Sequence, residues 1–502
     1  MSSPRGNPPR NLDQQRKLAK ELLKALRDQD PQAIERAAKF HLDPASCKLA
    51  DAQLILAREN SFESWPKLVK QLEQTEKQAF KAAIDSADDQ QLRRLLAGSQ
   101  SLQKIVNDPI ASFGMRPICA VAKNLAAVDV LLEFGADINL RSDWHMGPFG
   151  ILDVCPENNA RDLIKRGARL TAHAAARFGW LDELRQIVDA DPQVVHEKGG
   201  DGQRPLHFAK DIEIADYLLD RGADVNARCV DHQSTAAQYA LKDQPDVTRR
   251  LLQRGALPDI FMPARLGDLD LARQLIDEDP TCVAARTNVK GYDRVPVMGI
   301  YNWVLGFDRS PHEVALQYGH RDVFELLIQH SSPRVRLFDA ALRGDESAAR
   351  AALADDPNLL ANLNEKDHSM LATAAFHNRM DAFNLMLKLG FNPMARGIDG
   401  GTALHAAAWN GNVQMIQALL QRGVDIHLTD TAHGSTPLGW AAYGSVHCRR
   451  PGADYAGAIE TLVRAGADPK AAGNKRGATL FGTAAGNPQI QEVLKKLGAD
   501  AG

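Results

Sequence analysis

Residues 402–430, TALHAAAWNG followed by NVQMIQALLQRGVDIHLTD, decide how this chain is read. The first part is a short helix of small residues, and Ala406, Ala407 and Ala408 let a neighbouring helix approach closely. The second is an apolar helix that ends at Gly423, because glycine takes the left-handed conformation that closes a helix. A polar turn follows. Two helices this short cannot bury an apolar face alone, so the pair needs a similar pair stacked on it.

The pattern returns along the chain. LLEFGADIN (131–139), YLLDRGADVNAR (217–228), LLQRGALPD (251–259), LMLKLGFNP (385–393), LVRAGADPK (462–470) and VLKKLGAD (493–500) all close a helix with Gly and a polar turn. Openings recur as RPLHFAK (204–210) and STPLGWAAYGS (435–445). His207 and His405 are 198 residues apart, six times 33, and Leu371, Leu404 and Leu438 follow at intervals of 33 and 34. These residues resemble the ankyrin repeat, whose signature is TPLHxAAxxG on a first helix and LLxxGAD at the end of a second. The resemblance covers about 79–500 and is most specific at 201–228 and 399–430. It implies an all-α solenoid of about 12 or 13 helix–turn–helix units with short hairpin turns. Its concave face would be built from first helices and turn tips. It also implies that His173, His207 and His405, in the TPLH column, orient the turns.

Several units place Asp-Pro after the second helix, in DADPQVV (189–195), DEDPTCV (277–283) and ADDPNLL (354–360), which predicts a longer recurring turn. Residues 12–76 lie outside the repeat and predict a helical cap with helices at 12–28, 31–40, 50–59 and 63–74. This segment is similar to the helical stretch ahead of the repeats in long bacterial ankyrin proteins. Ser64 is placed as the N-cap before Trp65 and Pro66. The expected layout is a disordered tail at 1–11, the cap at 12–76, repeats at 77–288, an insertion at 289–311 and repeats at 312–502 interrupted at 444–454.

Departures from a repeat are where function concentrates. Gly267 and Gly319 stand 52 residues apart, so about 19 are extra, and this insertion carries Tyr292, Arg294, Tyr301 and Trp303. The second insertion holds His447, Cys448, Arg449, Arg450 and Asp454. An arginine such as Arg449 can hold a carboxylate or phosphate, but it also serves as solvated surface. Near the end of successive first helices one column reads Arg177, Arg265, Leu342, Phe376, Trp409 and Tyr443. The last three come from consecutive units and form an aromatic stripe, which Trp440 extends one turn earlier on the same helix. Turn tips carry Trp144, His145, Asp201, His232, Asp399, Asp430 and His433. Asp suits the turns themselves, whereas Trp144 packs or binds.

Composition narrows the functions. Lys and Arg number 60 against 63 Asp and Glu, a net charge of −3 that does not suit a nucleic-acid binder. No apolar run is long enough to span a membrane, and the N-terminus MSSPRGNPPR has no signal-like apolar segment. The six cysteines show no metal-ligand spacing and read as reduced thiols of a cytoplasmic protein. No phosphate loop, nucleophile elbow or kinase signature appears, and neither cofactor nor metal is expected. The leading reading is a scaffold that binds another protein through the concave face and turn tips. The alternative is a pocket for a sugar or small polar ligand in the C-terminal repeats, closed by the two insertions. In that reading His377, His447 and Asp454 are the acid–base candidates, and catalysis is not indicated by any motif.

Overall fold

The computed structural model describes residues 11–289 and 292–499. Twelve helix pairs run from Pro117–Ala120 with Leu125–Glu133 to Leu480–Thr483 with Pro488–Lys496, one pair opening with the 3-10 turn Pro205–Phe208. The chain is all-helical; among the described residues only two isolated bridges, Arg228 with Thr235 and Ala472 with Thr479, are extended. Second helices stop where the sequence places glycine: Gly222 has φ +90° and Gly423 +72°.

The turns explain much of the local sequence. Hairpin tips close with Gly199 N–H donating to the Gln203 carbonyl at 2.7 Å and Gly397 N–H to Gly401 at 2.8 Å. Each tip then holds the next: Val230 N–H donates to Asp201, Ala432 N–H to Asp399 and Lys475 N–H to His433. The Asp-Pro segments form the expected longer turns. Asp191 and Asp279 cap the 3-10 turns Pro192–His196 and Pro280–Ala284, and Val195 and Val283 plug the core beneath them.

At the N-terminus the helices are Leu12–Arg27, Pro31–Ala38, Leu49–Glu59 and Trp65–Ser86. The last is 22 residues long and passes straight through the boundary expected at 76, because nothing between 67 and 86 breaks the helical period. Cap and first repeat therefore share a helix, and buried Glu76 ties them by accepting Leu12 N–H at 2.8 Å and the Ser99 hydroxyl at 2.7 Å. Residues 1–10 of the expected tail lie outside the described residues. Asn11 caps the first helix, its side chain accepting Gln14 N–H at 2.9 Å. Ser64 stands at its N-cap position but its hydroxyl makes no capping bond.

The chain divides into two compact units. The first ends at Pro258 and regains 293–307; the second comprises Asp259–Tyr292 and the chain from Asp308 onward. Most of the 289–311 insertion thus folds onto the first unit, Tyr292 belongs to the second, and residues 290 and 291 are outside the described residues. In the second unit one apolar cluster runs from Leu337 to Ala499 through Phe383, Met386, Leu404, Ile416 and Leu438. In the first, a cluster runs from Phe80 to Phe178. The interruption at 444–454 is smaller than its length suggests, since the helix Pro437–His447 absorbs its first four residues.

Candidate functional site

The aromatic stripe sits on the first helices of three consecutive repeats, Met370–Phe376, Ala403–Trp409 and Pro437–His447. Their equivalent positions bring the rings together. Phe376 lies nearly parallel to Trp409 with centroids 6.4 Å apart, and Trp409 meets Tyr443 at 5.9 Å and the edge of Trp440 at 6.3 Å. Tyr443 is 48% exposed, while Phe376 and Trp409 are half-buried. Trp440 is buried, and its indole N–H donates to the Asp430 carboxylate at 2.8 Å. Burial pushes that carboxyl up, but Trp440 and the backbone N–H groups of His433 and Ser435 outweigh it and hold it below the ordinary range. Trp440 therefore ties the turn tip to the helix.

Beside the stripe is an open cavity of about 620 Å³. Phe376, Trp409, Trp440 and Tyr443 form its aromatic side. Turn tips form the other: Asp399, His433, Asn474, Lys475 and Arg476, with Ser435, Gly473 and Thr483 between. The imidazole of His433 is 3.6 Å from the Asp399 carboxylate. Asp399 and His433 were legible as turn-tip residues. Lys475 and Arg476 were not singled out, although the same tip column reaches them one repeat further on.

The remaining candidates are dispersed. His377 meets the edge of Phe376 at 5.6 Å and its pKa is lowered by burial and by Arg379. His447 lies over Tyr443 at 4.0 Å. Asp454 caps the helix Tyr455–Arg464, accepting Gly457 N–H at 2.7 Å. None of the three lines the cavity, so the sequence-based grouping of His377, His447 and Asp454 in one acid–base pocket does not form. Arg449 is exposed at φ +46°; it is Arg450 that is committed, donating to Asn410 Oδ1 at 2.8 Å. Asn410, missed by the sequence reading, is buried and donates to the carbonyls of Ala375 and Phe376, linking two repeats.

The 293–307 segment folds back on its own repeats. Ile300 N–H donates to the Ser234 hydroxyl at 3.0 Å, Arg294 donates to the Pro258 carbonyl at 3.1 Å, and Tyr301 is buried. Trp303 is 50% exposed and covers His232 at 4.4 Å between rings. Among the described residues, the cavity lining contains none from either insertion. The reason is local: the insertion's polar backbone and its aromatics find partners on the repeat it leaves. Trp144 is likewise a packing residue, donating to Asp201 at 2.9 Å and meeting Phe113 and His145. Next to it, Asp201, Asp231 and His232 each offer an atom within 4.8 Å of the others, a spacing a metal could use. His232 also faces the Met298 carbonyl at 3.3 Å, so the trio serves to join two turn tips to the insertion.

Two histidines of the TPLH column prove to be capping residues, whereas His173 faces the Glu197 carbonyl, at 3.1 Å. His405 accepts Thr402 N–H through Nδ1 at 3.1 Å, and its Nε2 faces the Ser435 carbonyl of the next turn at 3.2 Å. His207 does the same between Arg204 and Ser234. Where histidine is missing, Gln238 and Glu313 accept the equivalent N–H.

Comparison with known proteins agrees with this geometry. A profile described as ankyrin repeats (3 copies) matches residues 337–430 and 371–471, and one described as ankyrin repeat matches 201–230. Protein PhlB of Serratia liquefaciens is 30% identical over 126 residues, covering 25% of this chain and 55% of PhlB. Ankyrin repeat and SOCS box protein 16 of Mus musculus is 38% identical over 104 residues, 20% of this chain and 22% of that protein. E3 ubiquitin-protein ligase KEG of Arabidopsis thaliana is 24% identical over 293 residues, 55% of this chain and 16% of KEG. The chain thus spans about half of PhlB and much less of the other two. The stacked helix pairs, the capping column and these matches show that the chain carries ankyrin repeats, at 201–230 and across 337–471.

Proposed function

We propose that the chain is a protein–protein interaction scaffold whose partner docks on the aromatic stripe and turn tips of the C-terminal repeats. The observation that carries this is the contiguous run of Phe376, Trp409 and Tyr443, half-exposed beside the cavity. Aromatic side chains in such a setting supply most of the binding energy of an interface. The alternative, a small polar ligand or sugar, is favoured by the same cavity, whose volume lies in the range of ligand sites. Ligase activity in relatives belongs to proteins of which this chain matches a minor part. The six cysteines, none of them in a disulfide, fit a reducing compartment, and we take the cytoplasm as the site of action.

The test is photo-crosslinking from position 443 in the native cell, followed by affinity measurement on the partner recovered. Trp409→Ala with Tyr443→Ala is expected to weaken that affinity by about tenfold or more. A folded double variant that binds its partner unchanged removes the stripe from the interface. Native mass spectrometry separates the alternative: an added mass of a few hundred daltons in place of a protein points to a small ligand.

A further inference from the structure

We infer that the occupant of the C-terminal cavity is an acidic segment of a partner protein, an apolar or aromatic side chain flanked by carboxylates; this rests on the docking reading above. The argument is a census of hydrogen-bonding groups. Among the described residues, no acceptor answers the Trp409 indole N–H, the Tyr443 hydroxyl, the Asn474 amide or the Arg476 guanidinium. The Lys475 ammonium donates to the Ala432 carbonyl, at 2.5 Å, and keeps capacity for more. The Ser435 and Thr483 hydroxyls of the lining are already taken up, Ser435 by the Gly473 carbonyl and Thr483 by that of Leu480 at 2.7 Å. Asp399 is the sole carboxylate in the lining, and His433 faces it. Asp430 is occupied by Trp440, His433 and Ser435.

The unanswered groups are therefore mostly donors, and the formal charges are two cations against one anion. A matching occupant brings acceptors and negative charge for the Asn474–Arg476 side and apolar surface for the aromatic side. A sugar brings about as many donors as acceptors and no charge, so it leaves the cations unmatched. The volume of about 620 Å³ admits a few side chains and not a folded surface, which favours an extended segment. Charge-assisted bonds from Lys475 and Arg476 would add both strength and register.

The experiment is selection of a phage-displayed library of random linear peptides on the full chain. Binding of each enriched peptide is then measured to wild type, Tyr443→Ala and the charge reversal Lys475→Glu with Arg476→Glu. All three substituted residues are exposed, so the variants are expected to fold, and circular dichroism checks this; Arg476→Glu alone replaces the pair if it does not. The expected result is a consensus of an aromatic or Leu beside Asp or Glu. Its binding should weaken about tenfold or more on charge reversal and fall as salt rises. A neutral or basic consensus that still depends on Tyr443 overturns the acidic occupant and leaves the docking face standing. Peptides indifferent to Tyr443→Ala, or no enriched peptide, overturn both. Displacement by a neutral disaccharide, with no charge dependence, overturns the inference in favour of a sugar.

Discussion

At the scale of single residues, the buried polar groups of the turns do the work of alignment. His207 and His405 are pushed down to about 4 by burial, from an ordinary 6.5, and each uses a neutral ring to bridge a helix start to the next turn. Unfolded, they take up protons near 6.5; folded, they do not. Their stabilisation is fully present above pH 6.5 and is lost as pH falls from 6.5 towards about 4. His405→Gln is expected to flatten the slope of unfolding free energy in that window, since Gln238 fills the same role neutrally in its own repeat. Urea titrations at a series of pH values measure this. Trp440→Phe removes one of the hydrogen bonds to the buried Asp430 carboxylate, leaving those from His433 and Ser435, and is expected to cost about 1–3 kcal/mol. The column histidines were legible as structural from their register. The partnership of Trp440 with Asp430 was not, because the sequence places Trp440 on the stripe and Asp430 in a turn tip, with no register that joins the two.

At the scale of elements, the two insertions take paths of their own. Counting extra residues locates an insertion but not its path. The helix Pro437–His447 runs on through Gly444, where a Cβ would stand 2.4 Å from the Trp409 carbonyl oxygen. Alanine there would favour the helix by up to about 1 kcal/mol. The clash is with backbone and cannot be relieved by a rotamer, so Gly444→Ala is expected to destabilise by about 1–2 kcal/mol net. A lowered urea midpoint, together with a shifted tryptophan emission from Trp409, checks it. The 293–307 segment shows the same limit: its aromatics were read as a possible lid, and tertiary contacts with Ser234 and His232 make them an anchor.

Over the whole molecule, stability in stacked repeats is a sum of repeat and interface terms. The apolar cluster from Leu337 to Ala499 and that from Phe80 to Phe178 lie in different compact units. Leu404→Ala, at a fully buried position of the Leu337–Ala499 cluster, is expected to cost about 2–5 kcal/mol. Hydrogen exchange should then quicken in the helices of 337–499, while those of 80–178 keep their protection. Equal loss in both regions would mean that the chain unfolds as one cooperative body.

The sequence by itself determined the helix pairs, their 33-residue register and the glycine ends, because those follow from local propensity and from short helices that must stack. It also determined the aromatic stripe, since equal positions in consecutive repeats are neighbours by construction. Only the tertiary structure decided which of the other candidates meet. Lys475 and Arg476 face the stripe across a cavity, whereas His377, His447, Asp454, Tyr301 and Trp303 are absent from its lining. The physical reason is that a repeat fixes the position of whatever conforms to it. The path of an inserted loop, by contrast, is set by whichever hydrogen bonds and apolar contacts its own residues find.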